Sequence, residues 1–94
     1  RDRDALALAT ELLEISKLEL PPTSILRIDA TFRFAECLAF NDRLEESKAI
    51  LADLLTLQTR VFGRDDKGAQ STASTLANVD AVLQHAQASR GGGP

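Results

Sequence analysis

The sequence predicts an all-α fold of about four helices joined by short turns. Apolar residues recur at spacings of three and four along most of the chain, whereas alternating, strand-like stretches are short. Breaking and capping residues divide these periodic stretches, which predicts helices at about 3–20, 24–40, 43–62 and 67–89. Short turns place successive helices antiparallel, as neighbours in a row.

The first predicted helix combines an apolar stripe with a proline stop. Asp2 or Asp4 could cap its start, and the prolines at 21 and 22 end it because proline cannot continue the helical hydrogen-bond ladder. The stripe consists of Ala5, Leu8, Ala9, Leu12 and Ile15.

The second predicted helix could be capped by Thr23 or Ser24. Asp29 and Arg33 are spaced as an i,i+4 ion pair on its polar side. Its apolar face comprises Ile28, Thr31, Ala35 and Leu38, with Phe34 beside them.

The turn that follows shapes the start of the third helix. Asn41 suits a left-handed C-terminal position, and Asp42 with Glu45 predicts a capping box. The stripe of the third helix comprises Leu44, Ser47, Ile50, Leu51, Leu54, Leu57 and Val61.

Gly63 is placed to end the third helix, and Asp65 or Asp66 could cap the fourth. The stripe of the fourth helix comprises Ala69, Ala73, Leu76, Ala77, Val79 and Leu83. Residues 1–90 are therefore expected to form one helical repeat domain. Residues 91–94 are expected to be a flexible glycine-rich tail.

Composition argues against most kinds of chemistry. The net charge is only −3, and no basic stripe interleaves with aromatic residues, so nucleic-acid binding is not expected. No apolar run reaches the roughly 20 residues that span a bilayer, so no membrane role is expected. The single Cys37 and single His85 fall short of a zinc site and carry no nucleophile–base motif. We expect no enzyme activity, no cofactor and no metal, and a single cysteine fits the reducing cytoplasm.

The chain also matches itself at an offset of 42 residues. Phe34-Ala35 falls on Leu76-Ala77, and the segment 9–15 falls on 51–57 without a gap. Leu20-Pro21 falls on Phe62-Gly63, so both helix stops coincide. Each helix pair has two apolar faces that it cannot bury alone, which is the physical basis of stacked repeats.

At this offset the chain resembles the tetratricopeptide repeat family, in the long-helix variety of kinesin light chains. The resemblance rests on the segments 42–47, 51–55, 62–65 and 75–77, which read DRLEES, LADLL, FGRD and TLA. It implies antiparallel helix pairs stacked as a right-handed α-solenoid. It also implies that the chain begins and ends within a repeat unit, and we expect further repeats of the same chain.

In this family the first helix of each pair lines a concave groove that binds peptides. The resemblance therefore implies a non-catalytic protein–protein interaction module with a protein or peptide partner. The partner-binding residues it implies are Asp29, Phe32, Arg33, Glu36, Phe40, Ser71, Ser74 and Asn78. Phe32, Glu36 and Phe40 would form one ridge of the groove.

The alternative is a structural helical spacer or a dimerising bundle without a groove. A binding module should leave Phe32, Arg33, Glu36 and Asn78 accessible, whereas a spacer or bundle should bury Phe32 and Phe40.

Overall fold

The computed structural model describes residues 2–91, and the side chains of residues 3–89. These residues form four helices and no strand: α1 (Asp2–Glu19), α2 (Ile25–Phe40), α3 (Leu44–Phe62) and α4 (Lys67–Gly91). The expected all-α class and the number of helices are confirmed, and each helix end lies within two residues of its expected position. Gly91 closes α4, so the expected tail begins later than 91, and residues 92–94 lie outside the described part.

The helices also repeat the offset seen in the sequence. Helix α1 begins at residue 2 and α3 at 44, while α2 begins at 25 and α4 at 67, so each pair is separated by 42 residues. Within the described range, extensive packing joins only consecutive helices: α1 with α2, α2 with α3, and α3 with α4. The result is a flat, open row with principal extents of 51 × 33 × 15 Å.

The turn between α2 and α3 differs from the sequence-based expectation. The left-handed residue is Asp42, with a φ of 62°, and not Asn41, whose φ is −100°. Aspartate tolerates this conformation better than most residues. Arg43 precedes α3, and the start of the helix has no side-chain capping bond, so the predicted Asp42–Glu45 capping box is wrong.

The other expected caps have mixed outcomes. Ser24 precedes α2 with an extended backbone but makes no capping bond through its side chain. Gly63 ends α3 with a φ of 93°, which glycine adopts without strain. Asp66 caps α4, because its Oδ2 accepts a hydrogen bond of 3.0 Å from the backbone N–H of Ala69.

The main core lies between α2, α3 and α4. Its buried residues are Ala35, Leu51, Val79 and Leu83. Beside them, the fully buried Ser47 hydroxyl donates a hydrogen bond of 2.7 Å to the carbonyl oxygen of Ala35. This bond marks a close approach of α2 and α3, which is possible because both residues are small.

Helix α1 turns a different face inward than its stripe suggests. Its buried residues are Ala9, Leu13 and Ser16, whereas Leu8, Leu12 and Ile15 remain more than half exposed. The stripe is therefore present, but among the described residues most of it faces solvent.

A carboxylate on α4 is accommodated by an ion pair. Asp80 lies on the stretch of α4 that packs against α3, and its Oδ1 lies 2.6 Å from Lys48 Nζ of α3. Gln84 Nε2 donates a further hydrogen bond of 2.9 Å to Asp80 Oδ2. The two side chains stay partly exposed, although Asp80 Oδ1 itself is buried, so the Lys48 ammonium offsets the cost of burying that oxygen.

Candidate functional site: a groove between α2 and α4

An open cavity of about 390 Å³ lies between the N-terminal halves of α2 and α4, over the end of α3. We call it the α2–α4 groove. Helix α2 supplies Ile25, Ile28, Asp29, Phe32 and Arg33, helix α3 supplies Gln58 and Phe62, and the start of α4 includes Ser71 and Thr72. Helices α2 and α4 run in the same direction in the antiparallel row, so their first turns meet at one end of the molecule, where α3 terminates.

Four of the expected binding residues line this groove together. They are Asp29, Phe32, Arg33 and Ser71. Glu36 lies at its edge, because Arg33 Nη1 is 3.5 Å from Glu36 Oε1.

The other three expected binding residues do not line the α2–α4 groove. Ser74 and Asn78 are exposed further along α4. Phe40 is 74% exposed at the far end of α2. Phe32 is half-buried and packs against the core cluster, so Phe32 and Phe40 do not form one apolar ridge. The two phenylalanines are two helical turns apart, as expected, but the Phe32 ring packs against the core and the Phe40 ring is exposed to solvent.

The groove combines apolar walls with a charged rim. Ile25 and Phe62 expose apolar surface, and the buried Ile28 lies beneath them. On the rim, Arg33 Nε lies 3.7 Å from Asp29 Oδ1, and both side chains are well exposed. Arg33 also pairs with Glu36, so two carboxylates surround one guanidinium and the rim favours a basic or neutral polar ligand group over an acidic one.

Gln58 lines the groove from α3 and was not among the expected binding residues. Only 4% of this residue is exposed, and its Oε1 atom is buried without a hydrogen-bond partner among the described residues. Its Nε2 packs close to Gly68, where even a methyl group would lie only 3.1 Å away. The helical register contained a signal, because residues 47, 51, 54 and 58 share one face and all are buried. The last of these positions holds Gln58, which is polar, so it was not included in the apolar stripe predicted for the third helix.

The neighbouring polar groups are satisfied within the fold. The buried Thr72 hydroxyl donates to the carbonyl oxygen of Gly68 at 3.1 Å. Asp66 is used as the cap of α4. Gln58 is therefore the one buried side chain on the described lining of the groove that has an unused hydrogen-bonding atom.

Neither catalytic nor metal chemistry was expected from the sequence. The described residues contain no group of three or more histidine, cysteine, aspartate or glutamate side chains arranged to hold a metal ion. His85 is exposed on α4, and Cys37 is half-buried on α2. No helix in the described range is long and apolar enough to cross a membrane.

The clearest electrostatic pair lies away from the groove, at the start of α3. Arg43 Nε and Nη2 each donate a hydrogen bond of 2.8 Å to Glu46. These bonds hold the pKa of the Glu46 carboxyl below its ordinary range and raise the pKa of Arg43. The pair is exposed and lies at the start of α3, on Arg43 and the first turn of the helix.

No protein-family model, curated protein or solved structure matches the chain.

Proposed function

We propose that the chain is a non-catalytic interaction module that binds a peptide or protein segment in the α2–α4 groove. In this proposal the four helices are tetratricopeptide-like pairs in a right-handed solenoid, within a longer repeat array in the cytoplasm. The open row of consecutive helices and the 42-residue offset between equivalent helix starts support this arrangement. Nucleic acid and membranes are not part of the proposal.

The observation that carries the proposal is the unused Oε1 atom of Gln58 in the groove wall. A buried acceptor without a partner costs about 1–3 kcal/mol, so a ligand donor that reaches Oε1 when the Gln58 side chain turns toward the groove recovers that energy. A half-turn of the amide about its last torsion exchanges its oxygen and nitrogen, so either a peptide N–H or a peptide C=O can be bound. Both groups recur along every extended peptide.

The rim and walls extend this recognition to side chains. Apolar ligand side chains would pack on Ile25, Phe32 and Phe62, while Asp29 and Glu36 on either side of Arg33 offer carboxylates to a basic or polar group. An apolar pocket with a few polar groups is the usual composition of a binding site.

The structural spacer remains the second candidate, favoured by the half-burial of Phe32 against the core. Two observations favour the binding module: Phe40 is exposed, and Arg33 and Asn78 are accessible. Moreover, α1 and α4 lie at opposite ends of the row, so the described part does not close into a four-helix bundle.

The proposal is tested by filling the groove. Peptides that bind the wild-type chain are first selected from a random library, and their affinities are measured by calorimetry. Ser71→Tyr places a bulky ring in the groove from an exposed position on α4. Gln87→Tyr makes the same kind of change at an exposed position near the end of α4, away from the groove.

We expect the selected peptides to bind the wild type and Gln87→Tyr alike, and to bind Ser71→Tyr at least about tenfold more weakly, a loss of about 1.4 kcal/mol. Both variants should keep the wild-type helix content and size. Selected peptides that bind Ser71→Tyr as tightly as the wild type, or a library that yields no binder, would favour the spacer.

A further inference from the structure

Helix α4 adds a carboxylate to the α2–α4 groove that the proposed function does not use. Asp66 lines the groove at the start of α4, on the wall opposite Asp29 of α2. Asp66 Oδ2 accepts the hydrogen bond from the Ala69 N–H that caps the helix. Its Oδ1 accepts no hydrogen bond from the described residues, so this oxygen is free to receive a donor from a ligand.

The Gln58 amide lies next to this carboxylate. A Cβ atom added to Gly68 would lie 3.0 Å from Asp66 Oδ2 and 3.1 Å from Gln58 Nε2, so the two side chains are neighbours beside the bare backbone of Gly68. Gln58 is only 4% exposed, and its Oε1 is buried without a hydrogen-bond partner in the described part of the chain. A turn of this side chain brings Oε1 to the groove as a third acceptor, beside Asp29 and Asp66.

Negative charge exceeds positive charge on the lining of the groove. Asp29 and Asp66 are its carboxylates, and Arg33 is the one cation among its described residues. The Arg33 guanidinium is engaged on the α2 side, because it lies 3.7 Å from Asp29 and 3.5 Å from Glu36. Asp66 takes part in none of the ion pairs of the described residues. A ligand cation is therefore attracted to Asp66 without displacing an existing partner.

The walls beside these acceptors are apolar. Ile25 and Phe62 expose hydrocarbon surface, and the buried Ile28 lies beneath them. A lysine side chain has a four-carbon apolar stem and ends in an ammonium group with three donors and no acceptor. Its stem matches the walls, and its three donors match one amide oxygen and two carboxylates.

We propose that the α2–α4 groove binds its partner segment through a lysine whose ammonium group lies between Asp29, Asp66 and the Oε1 of Gln58. The proposal rests on the proposed function and names the chemistry of the partner, a protein segment with a lysine among apolar residues. The carboxylates alone would not identify a ligand. The buried, unpartnered amide oxygen beside them is the independent observation that calls for a donor.

The probes are peptides selected from a random library for binding to the wild-type chain. Each selected peptide is synthesised twice, once as selected and once with norleucine in place of its lysine. Norleucine keeps the four-carbon stem and lacks the ammonium group. We expect lysine to be enriched at one position of the selected peptides. We also expect norleucine at that position to weaken binding at least about tenfold in calorimetry.

Two variants of the chain locate the ammonium group. Asp29→Asn and Asp66→Asn each remove one negative charge, and asparagine caps a helix about as well as aspartate does. The matched controls are Asp53→Asn and Asp65→Asn, which make the same change at exposed positions outside the groove lining. We expect each groove variant to weaken the lysine peptides at least about fivefold and to leave the norleucine peptides unchanged. The controls should bind both kinds of peptide as the wild type does.

Gln58→Leu tests the third acceptor and should weaken the lysine peptides more than the norleucine peptides. Selected peptides without a preferred lysine, equal affinities of lysine and norleucine peptides, or equal losses in Asp29→Asn and Asp53→Asn would overturn the lysine proposal. If those same peptides still lose affinity for Ser71→Tyr, the proposed function stands without it. A library that yields no binder, or binders that are insensitive to Ser71→Tyr, would overturn both.

Discussion

Leucines at equivalent positions of the two helix pairs should respond very differently to truncation. Leu12 of α1 and Leu54 of α3 are separated by 42 residues, but Leu54 is covered by α2 and Leu12 is not. Replacing leucine by alanine removes three carbon groups, each worth about 0.8 kcal/mol when fully buried. For Leu54→Ala, nearly all of this is lost and a cavity is left, so we expect a destabilisation of about 3 kcal/mol.

For Leu12→Ala, less than half of the side chain is buried and no cavity forms, so we expect a loss of about 1 kcal/mol. In a domain of this size each kcal/mol lowers the Tm by about 4–8 °C, so the two variants should differ by roughly 8–16 °C. Thermal and urea unfolding followed by circular dichroism measure the difference. Equal destabilisation by the two substitutions would mean that Leu12 is covered as Leu54 is, and would contradict the open face of α1 in the structure.

Three further perturbations address single features of the fold. Gln58→Leu keeps the side-chain volume but removes the unpartnered oxygen, so thermal unfolding should show a gain of about 1 kcal/mol or more while selected peptides lose affinity; a loss of stability would show that the amide has a structural role. Ser47→Leu replaces the hydroxyl with three carbon groups where α3 approaches Ala35, and urea unfolding should show a destabilisation of about 1–3 kcal/mol; wild-type stability would contradict this close packing. Because Arg43 lowers the pKa of Glu46 in the folded state, the pair stabilises the protein above the ordinary glutamate pKa of about 4.3 and this contribution fades as the pH falls. Glu46→Gln should therefore lower the Tm slightly at neutral pH and by less at acidic pH; an equal loss at both pH values would contradict the pairing with Arg43.

The sequence carried most of the information on where the helices begin and end. Pro21, Gly63 and Asp66 act through local backbone chemistry, which depends little on the rest of the fold, so their effects were predictable. Asp42 was harder to assign because aspartate serves both as a helix cap and as a left-handed turn residue, and the hydrogen bond from the Arg43 N–H to the Leu38 carbonyl of α2 accompanies the second role.

The candidate site was predictable only in part, because the groove is formed by three helices that pack together. Helical phase places Asp29, Phe32 and Arg33 on one face of α2, and the structure has them together in the groove. The same phase cannot tell that Phe40 extends beyond the neighbouring helices, or that the stripe of Leu8 and Leu12 has no helix over it in the described chain. The exposure of these side chains depends on how the helices pack against one another, which the spacing of residues within one helix does not predict.

The binding proposal is tested most directly by mapping a selected peptide onto the folded chain. Backbone amide resonances of the isotope-labelled protein are followed by NMR as the peptide is added. We expect the largest shifts at Asp29, Phe32, Arg33 and Ser71, together with the side-chain amide of Gln58, while residues of α1 remain unchanged. Saturable shifts confined to α1, or to the outer face of α4, with the Gln58 amide unmoved, would contradict binding in the α2–α4 groove.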